Sequence, residues 1–253
     1  MNGLLAGFTR SEFTDSRGCT YPVLSIGEGP GVLVLHELSG LSETCLRLGK
    51  RFADAGMSAH LPLLFGEPGQ SSMVKGLRGL FCLRHEFTIF ATGRTSPIAT
   101  WIREAAGHVQ ARSAGRQVGV VGMCVTGGLA LASLTSDAVA AAVASQPSLP
   151  VALSCMPGAR RRDLGLGAPE LNALQERNPP VLALRFCKDC ISPPQRLNRL
   201  QTVVPAAEVI QVPGRGHAVL TFDLRSEDPE DPTMLALQRV IAFLQEHLGV
   251  EAG

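Results

Sequence analysis

The chain has 253 residues, of which 45% are hydrophobic and 18% are charged, and its formal net charge is +1 at pH 7. This composition is typical of a globular protein and excludes a disordered one. The small net charge argues against general electrostatic binding to nucleic acid or to an anionic membrane surface. No apolar run reaches the about 18 residues that a membrane span needs, so we expect no membrane partner.

A chain of this length is typical of one α/β domain, and we interpret residues 1–253 as a single domain. The seven cysteines are odd in number and scattered, which favours reduced thiols over a disulfide framework. The first seven residues lack the basic start and the apolar core of a secretory signal. We therefore expect a cytoplasmic protein.

The first part of the chain predicts an antiparallel hairpin that leads into a buried strand. The turn-forming segment Asp15-Ser16-Arg17-Gly18 joins the two hairpin strands. Ser42 is the expected N-cap of the first helix, and Gly56 closes that helix. The predicted elements are strands at 8–13, 20–26, 32–35 and 57–61 and a helix at 43–55.

The second part alternates strands with helices, which predicts a mostly parallel sheet with helices on both faces. Ligands of such sheets bind beyond the carboxyl ends of the strands. Residues 145–150 are expected to form a turn, and 156–178 a variable connection. The predicted elements are strands at 118–121, 138–144, 181–186 and 208–212 and helices at 97–114, 194–202 and 233–248, with one more helix after residue 128.

Residues 67–96 interrupt this alternation with glycines, aromatic residues and arginines. An insertion between a strand and a helix at the carboxyl edge can cover a pocket and select the substrate. A surface loop without a catalytic role is the alternative. We retain the covering role as an expectation.

Cys124 lies at the tip of a sharp turn between the valine-rich strand 118–121 and a helix of small residues. A nucleophile on such a turn stands at the carboxyl edge of the sheet, and the field of the following helix favours a thiolate. Thr126 occupies the position where glycine is usual, and Gly127 and Gly128 are expected to supply the room for it. A buried structural cysteine is the alternative interpretation.

Asp189 and His217 follow Cys124 in the order nucleophile, acid, histidine that is typical of the α/β-hydrolase triad. Each of the three comes directly after a predicted strand, so we expect them at one edge of the sheet. A turn aspartate and a surface histidine are the alternatives. Cys187 and Cys190, which flank Asp189, also permit a redox pair, but no second motif completes a zinc site.

Glu37 follows the buried strand at 32–35 and is expected to lie close to the turn at Cys124. The backbone amides of Leu38 and Val125 would then point to one spot and form an oxyanion hole. A solvated loop carboxylate is the alternative interpretation of Glu37.

Together these motifs resemble those of the dienelactone hydrolase family, which are cysteine hydrolases with the α/β-hydrolase fold. The resemblance extends from about Val32 to the C-terminus, except for 67–96. It rests on an elbow of the type G-x-C-x-G-G, on a glutamate motif after the first core strand, on the acid loop and on a Gly-His pair. In this chain these are Gly122-Met123-Cys124-Val125-Thr126-Gly127, Glu37-Leu38-Ser39-Gly40-Leu41, Asp189 and Gly216-His217.

The resemblance implies that Glu37 contacts the resting thiol and that substrate binding turns Cys124 toward His217. It also implies arginines that bind the carboxylate of an anionic dienelactone. One family arginine follows the catalytic histidine by four residues, where this chain has Thr221. Arg84 and Arg94 are the candidates for substrate binding, with Arg78 and Arg215 as further possibilities.

The sequence therefore predicts a cysteine-dependent hydrolase of small esters or lactones, a carboxymethylenebutenolidase type of enzyme, that needs neither metal nor organic cofactor. A thioester on Cys124 is the expected intermediate, hydrolysed by water that His217 activates. A monomer or a homodimer is expected. The alternative is a hydrolase-like scaffold that has lost catalysis and binds a small molecule.

Overall fold

A computed structural model describes residues 3–64, 66, 68–69, 96–149 and 161–250 of the chain. Two strands come first, and from the third strand onward strands and helices alternate. The strands are β1 (Thr9–Thr14), β2 (Thr20–Ile26), β3 (Gly31–Leu35), β4 (Ser58–Pro62), β5 (Val118–Met123), β6 (Val139–Ser145), β7 (Val181–Phe186) and β8 (Glu208–Val212). The helices are α1 (Glu43–Asp54), α2 (Pro97–Arg112), α3 (Gly127–Ser133), α4 (Ala168–Arg177), α5 (Pro194–Val203) and α6 (Pro232–Leu248).

The described strands form one sheet in the order β1-β2-β4-β3-β5-β6-β7-β8. β1 and β2 are antiparallel to each other, and β2 is antiparallel to β4. All pairs from β4 to β8 are parallel. This arrangement confirms the predicted α/β-hydrolase fold with an N-terminal antiparallel hairpin.

The sheet is covered on both faces, which explains why its central strands are continuous apolar runs. Every residue of β3 and β5 is buried. Alternate residues of β3 contribute to opposite cores, since Leu33 and Leu35 pack with α2, α3 and α5 while Val32 and Val34 pack with α1 and α6. No helix in the described ranges is long and apolar enough to span a bilayer.

Most predicted boundaries agree with the structure to within one or two residues. Ser42 caps α1 as expected, because its side chain accepts a hydrogen bond from the Cys45 amide at 3.3 Å. α4 is a correction, because it lies inside the segment interpreted as a variable connection. The expected pocket cover at 67–96 lies outside the described residues, apart from Pro68, Gly69 and Ser96.

Candidate active site

The turn at Cys124 is a strand-to-helix elbow, as the sequence predicts. Cys124 has a φ of +57°, in the left-handed region that residues other than glycine rarely adopt. A short 3-10 turn, Cys124–Thr126, leads from β5 into α3. The strained backbone presents the partly exposed thiol at the carboxyl edge of the sheet.

Thr126 fits the elbow because its hydroxyl is used by the backbone around it. Its Oγ1 accepts a hydrogen bond from the Met123 amide at 2.8 Å and lies 3.0 Å from the carbonyl oxygen of Leu35 on the neighbouring strand. The two following glycines lie close to other parts of the chain. A Cβ at Gly127 would lie 2.9 Å from Pro147, and one at Gly128 would lie 2.8 Å from the carbonyl oxygen of Leu164.

His217 and Asp189 are hydrogen bonded to each other. The ring Nδ1 of His217 lies 2.8 Å from Oδ2 of Asp189. The other carboxylate oxygen accepts the amides of Ile191 at 2.8 Å and Ser192 at 3.1 Å. Asp189 is 5% exposed, so its carboxylate is held in one orientation and fixes the ring of His217.

The second ring nitrogen of His217 faces the nucleophile candidate. Nε2 is buried, and the side chain of Cys124 lies close enough to hydrogen bond with the ring. Burial lowers the pKa of His217, but the carboxylate of Asp189 and the nearby sulfur of Cys124 outweigh it and raise this pKa to about 10. The site therefore favours an imidazolium beside Cys124 at neutral pH.

The sulfur of Cys124 has a hydrogen-bond partner that sequence reasoning missed. Its Sγ lies 3.1 Å from Oγ of Ser148, whose amide also donates to the carbonyl oxygen of Cys124 at 3.0 Å. Ser148 follows β6 in the segment that was interpreted only as a turn. A polar cluster, Ser145-Gln146-Pro147-Ser148, after a strand of alanines and valines was the available signal.

Glu37 is buried in a polar network beside the site. Its Oε1 accepts Nε2 of Gln146 at 2.8 Å and Oγ1 of Thr221 at 2.9 Å. Burial raises the pKa of Glu37 to about 7, although the hydrogen bond from Thr221 opposes the shift. Among the hydrogen bonds of the described residues, none joins Glu37 to Cys124, whose sulfur contacts Ser148.

Leu38 and Val125 are the residues predicted to supply the amides of an oxyanion hole. They follow the neighbouring strands β3 and β5, whose last paired residues are Leu35 and Gly122. Within the described ranges, neither the Leu38 nor the Val125 amide donates to another group. Two uncommitted amides at one edge of the sheet can bind a developing oxyanion.

His36 holds the loop that carries Glu37 and Leu38. Its Nε2 accepts the Leu64 amide at 3.1 Å, so the opposite Nδ1 carries the proton that bonds the carbonyl oxygen of Glu37 at 2.7 Å. Burial lowers the pKa of His36 to about 4, which keeps the ring neutral. His36 is thus a structural residue that ties the end of β3 to the end of β4.

Two buried arginines, also missed by sequence reasoning, support the loops of the site. Arg185 in β7 donates to the carbonyl oxygens of Ser192 at 2.6 Å and Asp189 at 2.7 Å. Arg196 in α5 donates to the carbonyl oxygen of Pro147 at 2.9 Å. Arginine within the apolar run of β7 was a visible signal for a buried anchor.

A comparison with models of protein families identifies the family of the chain. The model of the dienelactone hydrolase family matches residues 20–248. The chain belongs to the dienelactone hydrolase family. No curated protein sequence matches it significantly. Membership makes the chain a hydrolase with a small-molecule substrate.

Solved structures similar to this chain share the fold of the family. A protein of Klebsiella pneumoniae subsp. pneumoniae MGH 78578, provisionally named a dienelactone hydrolase, is 20% identical with a TM-score of 0.67, over 94% of this chain and 99% of that one. An α/β hydrolase of Penicillium sp. sh18 is 17% identical with a TM-score of 0.66, over 96% and 99%. An esterase of Pyrococcus furiosus is 15% identical with a TM-score of 0.64, over 98% and 96%.

Within the described part of the chain, none of the four candidate arginines is found at the site. Arg84, Arg94 and Arg78 lie outside them. Arg215 is exposed and lines a separate open pocket with Asp223, Arg225 and Asp231. Thr221, at the position of the family arginine, is buried against Glu37 instead.

The two cysteines that flank the acid residue are accessible to solvent. Cys187 and Cys190 are exposed free thiols on either side of Asp189. Among the described residues, no group of three or more histidines, cysteines and carboxylates is arranged to hold a metal ion.

Proposed function

We propose that this dienelactone hydrolase family member hydrolyses small esters or lactones with Cys124 as nucleophile, His217 as acid and base, and Asp189 as the residue that orients His217. One observation carries the proposal. The ring of His217 is held by Asp189 at 2.8 Å, and the same ring interacts with the side chain of Cys124. This is the geometry that nucleophilic acyl transfer requires.

The proposed reaction has two steps. The thiolate of Cys124 attacks the carbonyl carbon, and the amides of Leu38 and Val125 bind the oxyanion. The tetrahedral intermediate collapses to a thioester, and the leaving alkoxide takes the proton from Nε2 of His217. Water then gives its proton to Nε2 and attacks the thioester, the carbon–sulfur bond breaks, and release of the carboxylic acid restores the thiolate of Cys124 and the imidazolium of His217.

The raised pKa of His217 suits the first step. At neutral pH the ring of His217 is an imidazolium beside the sulfur, and the proposed first step uses the thiolate because it is the reactive form of cysteine. The same ring can give up its proton when an alkoxide of much higher pKa leaves. Asp189 stabilises the imidazolium without having to accept its proton.

The chemistry at Thr221 bears on the substrate class. Thr221 donates to the buried Glu37, so this side of the site holds an acceptor where the family arginine would supply a cation. A small ester or lactone without an obligatory carboxylate fits these residues. A panel of neutral and anionic short-chain substrates measures this preference.

The nucleophile assignment is tested with Cys124→Ala, using Cys187→Ala as the matched control because Cys187 is also a free thiol. We expect kcat/KM for short esters and lactones to fall at least about 10³-fold in the first variant and to stay unchanged in the second. Undiminished turnover by Cys124→Ala would remove Cys124 from the reaction. Absence of turnover in the wild type on every substrate would favour the binding-module alternative.

A further inference from the structure

We propose that Ser148 is a positioning residue for the nucleophile: its hydroxyl donates a hydrogen bond to the sulfur of Cys124, holds that sulfur in one orientation and favours the thiolate. The inference rests on the proposed role of Cys124 as nucleophile. Its observation is the 3.1 Å distance between the two side-chain atoms.

The direction of this hydrogen bond follows from burial and from the chemistry of sulfur. Ser148 is 5% exposed, and Cys124 is the one partner of its hydroxyl in the described part of the chain. If the hydroxyl hydrogen of Ser148 pointed away from the sulfur, it would be buried without an acceptor, which costs free energy. A thiolate has no hydrogen to give, so once Cys124 is deprotonated Ser148 must be the donor.

The backbone of Ser148 is fixed by contacts on both sides. The Ser148 amide donates to the carbonyl oxygen of Cys124 at 3.0 Å. The preceding carbonyl of Pro147 accepts Oγ of Ser192 at 2.8 Å and Nη1 of Arg196 at 2.9 Å. Because Ser192 also donates its amide to Asp189 at 3.1 Å, one connected set of hydrogen bonds places the hydroxyl relative to both the sulfur and the acid.

Ser148 acts alongside the charged groups that surround the sulfur. His217 is the titratable partner, with Asp189 behind it. Arg196 is buried and its charge interacts with both Cys124 and Asp189. Glu37 interacts with His217 from the opposite loop. A neutral donor at Ser148 adds thiolate stabilisation that changes none of these charges.

The test is the pH dependence of Cys124 alkylation by iodoacetamide, followed by peptide mass spectrometry in the wild type and in Ser148→Ala. Loss of a hydrogen bond to the thiolate should move the acid limb of the rate profile up by about one pH unit, which is about a tenfold lower rate on that limb. The plateau rate at high pH should stay within about twofold, since the intrinsic thiolate remains.

Two further variants separate this role from a general loss of packing. Ser133→Ala removes another buried hydroxyl, one that donates to the carbonyl oxygen of Ala130 at 2.6 Å and not to the sulfur of Cys124. This variant should leave the acid limb in place. Ser148→Thr keeps the hydroxyl and should restore the acid limb. If Ser148→Ala does not fold, Ser148→Gly provides the same measurement.

An acid limb that coincides in Ser148→Ala and the wild type would overturn the inference. This outcome is distinct from failure of the proposed function. If the acid limb shifts but Cys124→Ala retains full ester hydrolysis, Ser148 positions a thiol that is not the nucleophile, and the proposed function fails. If Cys124→Ala is inactive and the limb does not shift, the proposed function stands and only the role of Ser148 is wrong.

Discussion

Oδ2 of Asp189 accepts the proton of His217 Nδ1 across 2.8 Å, although the two residues belong to loops 28 positions apart in the chain. The adjacent strands β7 and β8 bring these loops together, with Phe186 paired to Val212 at their ends. Amide hydrogen bonds continue past the strands, from Cys187 to Val212 at 2.8 Å and from Lys188 to Gly214 at 3.2 Å. The pairing of two strand ends therefore creates the contact between acid and base.

The first prediction concerns this contact. Asp189→Asn keeps the oxygen that accepts the Ile191 and Ser192 amides but presents an NH₂ group to Nδ1 of His217. We expect kcat/KM for a short ester to fall on the order of 10³–10⁴-fold because the wrong tautomer of the ring is favoured. Asp137→Asn, the same change in an exposed ion pair with Arg177, is the control and should retain activity. Comparable activity in the two variants would contradict a role for Asp189.

The second prediction concerns the pH dependence of stability at Glu37. Its pKa rises from 4.5 to about 7 on folding, so the native state binds the proton more tightly than the unfolded state. The contribution of Glu37 to the free energy of unfolding should therefore be greatest below pH 4.5 and should fall by up to about 3 kcal/mol as the pH rises through 7. Glu37→Gln carries no charge and should lose this decline.

The measurement is urea unfolding of the wild type and Glu37→Gln between pH 4.5 and 8. As the pH rises, the unfolding free energy of the wild type should fall relative to that of Glu37→Gln. Glu246→Gln, on the exposed side of α6, controls for the loss of a carboxylate at the surface. If the difference in unfolding free energy between Glu37→Gln and the wild type stays constant over this range, the pKa of Glu37 is not raised in the folded protein.

The third prediction concerns the buried guanidinium of Arg185. Arg185→Met leaves the carbonyl oxygens of Asp189 and Ser192 without their donor, at about 1–3 kcal/mol for each buried group. We expect the free energy of unfolding to fall by about 2–5 kcal/mol, together with a loss of kcat/KM because the acid loop moves. Arg239→Met breaks a partly exposed ion pair with Glu208 and should cost about 1 kcal/mol or less. Equal costs in the two variants would contradict the anchoring role.

The fourth prediction concerns the close packing of the elbow. A Cβ at Gly122 would lie 2.8 Å from the Cβ of Ala130 and closer still to the carbonyl oxygen of Thr126. We expect Gly122→Ala to destabilise the protein by about 1–3 kcal/mol and to displace Cys124. Gly107→Ala, in α2 with nothing within 4 Å of the new methyl group, should stabilise it by about 0.5–1 kcal/mol. Thermal unfolding of both variants measures the contrast, and equal shifts would contradict the packing at the elbow.

The pattern of apolar and turn-forming residues was sufficient to predict the strands and the order of the elements. The apolar runs that became β7 and β8 are bounded by turn residues, so their ends agree with the prediction. α4 was missed because its sequence has little apolar periodicity, and of its residues only Glu170 and Leu174 are buried. A helix that is mostly at the surface provides little hydrophobic signal.

Some residues of the candidate site could be predicted from the sequence, and others could not. Cys124, Asp189 and His217 are each visible because each follows a strand, and the order of the strands then brings the loops together. Ser148 and Gln146 could not be assigned because their partners come from the turn after β5 and from the loop after β3. Such contacts depend on tertiary geometry, and the spacing of residues along the chain does not predict them.

Trapping of the acyl-enzyme tests the central claim most directly. The protein is mixed with an excess of a short ester, quenched in acid during turnover and digested for peptide mass spectrometry. We predict that the acyl group of the ester is found on Cys124 and that it disappears when substrate is exhausted. Turnover at the full rate with Cys124 unmodified, or with the acyl group on another residue, would contradict the account.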